Sequence, residues 1–457
     1  MGQDWRHPRV WPLVGAALLS MLVIIGIGPA VSFATATPLS EQASVTPGAE
    51  ATTVVTLLAG GHFAQADAYF DPALGVSPAA LRRAWTALIA QVGPFRHPLS
   101  VRTAPVAAYT NATVACAFAR ATADIIVTID QEQRVAGLHF ANIQRPTVSP
   151  PYVHPAAFHE RAVTVGTAPW ALPGTLTLPN GRGPFPAVVL VAGSGPADRD
   201  ETIGPNKPFR DLAWGLAWRG IAVLRYDKRT FVYRDRFTAA RMAALHFTVN
   251  QETVDDALAA VALLRRTPGI DTRRIFVLGH SLGGMLAPRI GARDPHIAGL
   301  IILAGPTTPL DDEILRQERY LYALGDVTRA QVDATARVVA QVKALTPSQV
   351  SSPEVLLGAT PAYWLDLRAY HPAAVAAHLT QPLLIMQGAW DYQVTLQDYH
   401  GWRTALVARH TATFTLYPRL DHLFMPVSGP STPADYAVPG HVAPVVVGDI
   451  AAWLTAH

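Results

Sequence analysis

A serine placed between glycines is the residue of this chain best suited to do chemistry. Residues 279–284 have the sequence G-H-S-L-G-G, with Ser281 as the serine. An apolar run precedes this segment and small or apolar residues follow it, which predicts a strand, a sharp turn and a helix. Such a turn holds the serine hydroxyl clear of the sheet. Ser281 is therefore the predicted catalytic nucleophile, and a glycine-rich turn of purely structural importance is the alternative.

A serine hydroxyl needs a base to take its proton and an acid to orient that base. When the serine lies on this kind of turn, the acid and then the base follow it in the chain. Asp391 is the predicted acid, because it comes three residues after the buried strand predicted at 383–388. A loop aspartate that caps the next helix is the alternative. Weaker acid candidates, none so close behind a core strand, are Asp366, Asp398 and Asp421.

The predicted base is His422, one of 16 histidines in the chain. It lies in the loop after the last predicted strand, which ends at residue 417, and just before a terminal helix. Asp421 is directly adjacent in sequence, which usually turns its carboxylate away from the His422 ring. His410 and His441 are the fallback candidates for the base.

The negative charge that develops on the substrate oxygen during attack needs backbone N–H donors. One predicted donor is the N–H of Leu282, the residue after the nucleophile. The second is predicted in the loop 192–196, which has the sequence A-G-S-G-P and follows an apolar strand at 187–191. This second donor is Ser194 or Gly195, with a slight preference for Ser194. A plain turn between strand and loop is the alternative.

The composition excludes several other classes of protein. Of 457 residues, 50% are hydrophobic and 15% are charged. The chain is therefore not of a disordered type, and it has enough apolar residues for a large buried core. The formal net charge is only +3, and no block of lysines or arginines suggests a nucleic-acid partner. The single cysteine, Cys116, cannot form an internal disulfide and lacks the partners of a zinc site. We therefore predict no metal, no organic cofactor and no nucleic-acid partner, and we interpret Cys116 as a small buried apolar residue.

Residues 1–36 are predicted to be a targeting segment. Arg6 and Arg9 precede an apolar stretch at 10–33, and the sequence A-T-A at 34–36 resembles a cleavage site. Since the apolar stretch is longer than a usual signal-peptide core, an uncleaved membrane anchor through residues 10–33 is the alternative. In both cases the rest of the chain is predicted to be exported, either secreted or anchored facing outside.

The remaining chain is predicted to contain a small domain and a larger one. Residues 37–50 are a predicted linker, and 51–142 a small α+β domain in which helices precede short strands. A proline-rich linker at 143–155 follows. From 156 to 457 strands alternate with helices, which predicts an α/β fold with a mostly parallel sheet and functional residues at the carboxyl ends of its strands. The helical stretch at about 311–378 is a predicted cap over that edge, or alternatively an ordinary surface excursion.

Residues 156–457 resemble the α/β-hydrolase superfamily, and within it a bacterial branch of exported serine esterases and peptidase-like hydrolases. The similar segments occur in the same order and comprise 192–200, 225–229, 279–284, 387–394 and 421–422. The resemblance implies Ser281 as nucleophile, Asp391 as acid and His422 as base. Residues 51–142 are similar to the cone-shaped nuclear-transport-factor-2-like domains.

Two positions depart from the wider superfamily. Ala192 stands where many lipases and esterases have a histidine, although the branch resembled here often lacks it. Thr230 and Phe231 follow Arg229 where a glycine is usual, a change that can reshape the pocket wall.

The leading functional hypothesis is an exported serine hydrolase that cleaves small carboxylic esters through an acyl-enzyme. The second hypothesis is a serine peptidase or amidase. In an exopeptidase, Glu313, Glu318 or Asp366 of the predicted cap would bind the amino terminus of the substrate, and solvated helix faces are the alternative explanation of these three carboxylates. A third is a binding protein with a relict site, and an acyltransferase differs only in the nucleophile that resolves the acyl-enzyme. Oligomeric state, acyl chain and leaving group stay open.

Overall fold

The computed structural model describes residues 46–106, 108–144 and 148–457. These residues divide into two compact units, one ending at Val148 and the other beginning at Ser149, and each has a hydrophobic core of its own. The predicted targeting segment and the predicted linker up to residue 45 lie outside the described residues. Within the described ranges, every helix is too short or too polar to cross a membrane.

The first unit is α+β, as the sequence predicts. Its elements are α1 (Pro47–Ala59), α2 (Phe63–Asp67), α3 (Pro78–Val92), β1 (Phe95–Val106), β2 (Tyr109–Phe118), β3 (Thr122–Ile129) and β4 (Val135–Gln144). The four strands form an antiparallel sheet in the order β1-β2-β3-β4. Cys116 is completely buried in this unit, and burial raises the pKa of its thiol to about 12. Helix α1 begins at Pro47, inside the segment predicted to be a linker, because Thr46 caps its first turn.

The second unit is built on an eight-stranded sheet. Its strands are β5 (Phe158–Val165), β6 (Leu172–Pro179), β7 (Phe185–Val191), β8 (Ala222–Tyr226), β9 (Ile270–His280), β10 (Leu300–Leu303), β11 (Leu383–Gly388) and β12 (Ala412–Tyr417). Their order is β12-β11-β10-β9-β7-β8-β6-β5, with β7 to β12 parallel and β5 and β6 antiparallel. The prediction of a mostly parallel sheet is confirmed. Strand β5 was not predicted, because this edge strand is largely exposed and has no continuous apolar run.

Helices cover both faces of this sheet. They are α4 (Pro208–Ala217), α5 (Arg229–Val232), α6 (Ala239–Ala244), α7 (Asp255–Arg265), α8 (Leu282–Arg293), α9 (Leu310–Leu324), α10 (Arg329–Ala344), α11 (Pro361–Arg368), α12 (Pro372–His378), α13 (Leu396–Ala405) and α14 (Pro444–Ala456). Val189 of β7 belongs to the core that includes α7 and α8, whereas Val188 belongs to the core that includes α4 and α14. Successive side chains along each buried strand therefore point alternately into the two hydrophobic cores.

The predicted insertion is helical and consists of α9 to α12. The hydroxyl of Tyr370, after α11, donates to the carbonyl oxygen of Met285 in α8 at 2.8 Å. Arg316 of α9 donates to the Asp398 carboxylate at 2.7 Å and to the Gln393 carbonyl at 3.3 Å. The inserted helices are thus tied to α8 and to the segment that follows β11.

Candidate active site

Ser281 is the single residue between β9 and α8. Its backbone has φ 52° and ψ −120°, a conformation that is strained for any residue other than glycine. A Cβ added at Gly279 would lie 2.1 Å from the carbonyl oxygen of Gly283, and one at Gly283 would lie 2.1 Å from that of Val191. Both glycines are therefore required for the turn, and Ser281 itself is only half-buried.

The first turn of α8 offers backbone donors beside Ser281. The Ser281 carbonyl accepts from Met285 N at 2.9 Å, and the helix has no side-chain cap. The N–H of Leu282 belongs to the first turn and has no acceptor within the helix. It directly follows the serine, so it is placed to bind an anion next to the hydroxyl.

His422 and Asp391 form a buried pair. The His422 Nδ1 atom lies 2.7 Å from Asp391 Oδ2, and both residues are about 95% or more buried. The backbone N–H groups of Gln393 and Val394 donate to Asp391 Oδ1 at 2.8 and 3.0 Å, and Gln387 Nε2 donates to Oδ2 at 3.1 Å. Donors surround the carboxylate, which fits an ionised acceptor that fixes the tautomer and orientation of the imidazole.

The sheet itself brings these two loops together. Strands β11 and β12 are parallel neighbours, so the segments after them leave the sheet at the same edge. The N–H of Ala389 donates to Tyr417 O at 2.8 Å, and the N–H of Trp390 donates to Leu420 O at 3.1 Å. A Cβ at Gly388 would lie 2.4 Å from the Leu420 carbonyl oxygen. The backbones are in direct contact at a point where only glycine fits.

His280 connects the serine turn to the loop of His422. Its Nε2 donates to the His422 carbonyl at 2.9 Å, its ring centroid is 4.6 Å from that of His422, and its Nδ1 lies 3.0 Å from Glu201 Oε2. Burial lowers the pKa of His280, but the Glu201 carboxylate and the bond to His422 raise it by more, so the net pKa is above its ordinary value. His280 and Glu201 therefore form a buried close contact behind the serine.

In the structure, His422 contacts Asp391. His422 also contacts His280, which is the residue directly before Ser281 in the sequence. Within the described part of the chain, the Ser281 hydroxyl makes no hydrogen bond to the His422 ring. Catalytic hydrogen bonds of this kind are often long until substrate is bound.

The loop after β7 lies against the serine. A Cβ added at Gly193 would be 3.1 Å from the Cβ of Ser281. The Gly193 N–H donates to Glu201 Oε1 at 2.7 Å, so it is already occupied. The N–H groups of Ser194 and Gly195 make no hydrogen bond with any residue that the structure describes, and both residues are half-buried. These two predicted oxyanion donors therefore stay available.

The weaker candidates are engaged elsewhere. Asp366, Asp398 and Asp421 all accept hydrogen bonds from groups outside the pair formed by His422 and Asp391. Their partners include Arg289 at 2.7 Å, Arg316 at 2.7 Å, and the N–H groups of Leu423 and Met425 at 2.9 Å. His441 lies 3.0 Å from Asp211 of α4, and His410 is exposed.

Several polar residues of the site were not singled out from the sequence. Glu201, His280, Lys228 and Gln387 are almost completely buried and contact the residues or loops predicted to be catalytic. His280, Lys228 and Gln387 lie within the segments that carried the family resemblance, and Glu201 directly follows another. A polar or charged residue within or directly after such a segment is the signal that could have found them.

Metal ligation has no support among residues 46–106, 108–144 and 148–457. No group of three or more His, Cys, Asp or Glu side chains in these ranges is arranged to hold a metal ion.

Comparison with known proteins places this geometry in a family. The sequence profile described as serine aminopeptidase, S33, matches residues 206–426. Esterase EstD of Thermotoga maritima is 40% identical over 380 residues, which cover 83% of this chain and 88% of that protein. The chain belongs to the α/β-hydrolase superfamily.

Solved structures of hydrolases are similar at lower identity. A puromycin-hydrolysing peptidase of Mycobacterium tuberculosis is 15% identical, with a TM-score of 0.43 over 79% of this chain and 48% of that one. Est1E of Butyrivibrio proteoclasticus is also 15% identical, with a TM-score of 0.41 over 65% of this chain and 99% of that one.

In this α/β-hydrolase the three predicted catalytic residues follow three different parallel strands. Ser281 follows β9, Asp391 comes three residues after β11, and His422 comes five residues after β12. All three lie within the matched range 206–426, whereas the loop with Ser194 and Gly195 precedes it.

Proposed function

We propose that this protein is an exported serine hydrolase that cleaves carboxylic esters through an acyl-enzyme. The catalytic assignment rests on the buried 2.7 Å contact between His422 and Asp391. His422 is also hydrogen-bonded to His280, the residue directly before Ser281. The substrate class is supported by the 40% identity to a protein named as an esterase.

In the proposed reaction, Ser281 is first the nucleophile that attacks the ester and later the leaving group of the acyl-enzyme. His422 takes the proton of Ser281 as Oγ attacks the ester carbonyl carbon, and the resulting oxyanion accepts hydrogen bonds from Leu282 N–H and from Ser194 or Gly195 N–H. His422 then returns the proton to the departing alkoxide, and the alcohol leaves. Water attacks the acyl-enzyme, giving its proton to His422. Collapse of this second intermediate releases the carboxylic acid and restores the serine.

The alternative of a peptidase needs a carboxylate to bind the amino terminus of the substrate, and two of the three candidates are poorly suited to this. Glu313 is 2% exposed and lies 3.4 Å from Arg316, and burial and the Asp398 charge raise its pKa well above its ordinary value. Asp366 is paired with Arg289 at 2.7 Å. Glu318 is half-buried and makes no ion pair with a described residue. Glu318 thus stays the candidate carboxylate for an exopeptidase, and the preference for esters rests on the 40% identity to a protein named as an esterase.

Export is proposed from the N-terminal sequence. The basic residues, the apolar stretch at 10–33 and the A-T-A sequence at 34–36 together support translocation. Mass spectrometry of the protein recovered from medium and from membranes distinguishes the two forms. A mature chain that begins near residue 37 indicates cleavage, and an intact N-terminus in the membrane fraction indicates an anchor. An intact chain confined to the cytosol would refute export.

The catalytic proposal is tested with Ser281→Ala. We expect kcat for nitrophenyl butyrate to fall by about 10³-fold or more, because the proposed nucleophile is removed. Labelling by a fluorophosphonate should be lost as well. Ser351→Ala is the matched control and should retain full turnover, since the hydrogen bond of that hydroxyl among the described residues is to His246, at 2.8 Å. Undiminished turnover in Ser281→Ala would refute the assignment.

Substrate class is tested on the wild-type protein. Nitrophenyl esters and aminoacyl nitroanilides of matched acyl groups are compared by kcat/KM. Preference for the ester is expected, and preference for the anilide would favour the peptidase. Absence of turnover and of fluorophosphonate labelling would favour a binding protein.

A further inference from the structure

A buried lysine holds the loop that carries the predicted oxyanion donors. The Nζ atom of Lys228 donates to the carbonyl oxygen of Gly193 at 2.7 Å, although the two residues are 35 positions apart in the chain. Lys228 is 4% exposed and lies in the segment between β8 and α5. An ammonium group at such depth needs partners, and one of those it has is the peptide directly preceding Ser194.

The orientation of Lys228 is fixed by further buried groups. Its ammonium lies 3.2 Å from Glu252 Oε1, and Glu252 is 2% exposed. The other carboxylate oxygen, Oε2, accepts from the hydroxyl of Tyr363 in α11 at 2.7 Å. The hydroxyl of Thr230 lies 3.4 Å from Oε1. The ammonium is therefore held between a carboxylate and the Gly193 carbonyl, with little freedom to move.

This contact determines where the next N–H points. In a trans peptide, the carbonyl and the N–H that follows it point in opposite directions. With its oxygen on Lys228, the peptide between Gly193 and Ser194 must direct the Ser194 N–H away from the lysine. The backbone beside it is in contact range of Ser281, since a Cβ at Gly193 would lie 3.1 Å from the serine Cβ. A charged donor on the carbonyl also polarises the peptide and strengthens its N–H as a donor.

We propose that Lys228 is a positioning residue for ester hydrolysis, which fixes the peptide between Gly193 and Ser194 so that the Ser194 N–H acts as the second oxyanion donor. The inference rests on the proposed function. It also decides between Ser194 and Gly195, since the lysine contact orients only the former N–H. Rotation of this peptide would remove the Gly193 acceptor from a buried ammonium. The bond from Gly193 N–H to Glu201 holds the preceding peptide in the same way.

The competing explanation is a structural ion pair that stabilises the fold without affecting the reaction. The double variant Lys228→Met with Glu252→Gln separates the two, because it removes the ammonium without leaving a buried carboxylate unpaired. The matched control is Arg229→Met with Asp256→Asn, which removes the neighbouring buried pair at 2.5 Å. That pair makes no contact with the loop 192–196 in the part of the chain that the structure describes.

The readouts are kcat and KM for nitrophenyl butyrate and the inhibition constant of an aryl trifluoromethyl ketone, whose serine adduct carries an oxyanion. We expect kcat of the Lys228→Met, Glu252→Gln variant to fall about 10- to 100-fold, part of the loss seen when an oxyanion donor is removed. The ketone should bind more weakly by a similar factor, and KM should change less than about threefold. The control pair should leave all three values near those of the wild type.

A folded variant with unchanged kcat and unchanged ketone affinity would overturn the role of Lys228. Equal losses in the two double variants would also overturn it, because a general loss of stability would then account for both. If the methionine variant is insoluble, Lys228→Gln with Glu252→Gln is measured in the same way and judged by the same criteria. Failure of the proposed function is seen separately, as a wild-type protein that neither hydrolyses the ester nor reacts with a fluorophosphonate.

Discussion

At the scale of residues, the site contains carboxyl groups in contrasting surroundings. Asp391 is surrounded by donors from Gln387, Gln393, Val394 and His422. Asp421, one residue before His422, is buried with fewer donors. Burial, with a smaller contribution from the Asp391 charge, raises the pKa of Asp421 to about 7, against the effect of its backbone N–H partners. Neighbouring carboxyls can thus serve different purposes because their surroundings differ.

The pKa of Asp421 predicts a pH dependence of stability. Its folded pKa of about 7 exceeds the unfolded value of about 3.9, so the fold favours the protonated form. The stability this contributes is complete below about pH 4 and is lost as the pH rises through about 7. From pH 5 to pH 8 the wild type should lose about 2 kcal/mol more unfolding free energy than Asp421→Asn, whose side chain stays neutral.

Urea unfolding of both proteins at pH 5 and pH 8 measures this difference. The exposed Asp235→Asn is the control and should follow the wild type at both values. The same pH response in Asp421→Asn and in the wild type would show that Asp421 does not titrate in this range.

At the scale of elements, the site depends on backbones that approach more closely than side chains allow. The turn between β9 and α8 contacts the end of β7, where Gly283 meets the Val191 carbonyl. The ends of β11 and β12 are joined where Gly388 meets the Leu420 carbonyl. The parallel strands β9, β11 and β12 therefore bring Ser281, Asp391 and His422 to one edge of the sheet.

Gly283→Ala tests this packing. Its Cβ would lie 2.1 Å from the Val191 carbonyl oxygen, a backbone atom that cannot move without shifting β7. We expect a drop in melting temperature and a loss of at least about 10²-fold in fluorophosphonate labelling rate, because displacement of the turn misplaces Ser281. Gly448→Ala is the control, since nothing lies within 4 Å of its added Cβ in α14. That change should stabilise the protein by about 0.5–1 kcal/mol.

Melting curves and labelling rates of Gly283→Ala and Gly448→Ala test whether the turn after Ser281 tolerates a side chain. A Gly283→Ala protein with wild-type stability and labelling would mean that the turn tolerates a side chain, contrary to its backbone geometry.

At the scale of the whole molecule, the chemistry belongs to one unit. Ser281, Asp391, His422 and the loop at 192–195 all lie between residues 149 and 457, in a unit that has hydrophobic cores of its own. The first unit has a separate core around Val54, Trp85 and similar residues. Because each unit has its own core, we expect each of them to fold independently.

A fragment of residues 149–457 tests this independence. We expect it to be soluble, to unfold cooperatively and to hydrolyse nitrophenyl butyrate with kcat within about threefold of the full chain, because every group of the proposed mechanism is retained. The measurement is kcat together with the fraction labelled by a fluorophosphonate. A folded fragment with little activity would show that residues 46–148 contribute to the site.

The sequence by itself determined the features that rest on local pattern. The glycines around Ser281 form a turn, and the residues before Asp391 and His422 form strands, because each signal lies within a few consecutive residues. The strand before Asp391 is fully buried, whereas the strand before His422 is an edge strand with only Tyr417 buried. The α/β fold class followed from the alternation of such runs with helices. Strand β5 escaped prediction because an exposed edge strand needs no apolar run.

Only the tertiary structure decided which polar groups support the site. Lys228 contacts Gly193 and Glu201 contacts His280 across long separations in sequence, and no periodicity encodes such pairs. The contact of His422 with Asp391, rather than with the adjacent Asp421, depends on the parallel pairing of β11 and β12. Residue types and spacing specify which chemistry is possible, whereas the packing of the sheet sets which atoms come within hydrogen-bonding distance.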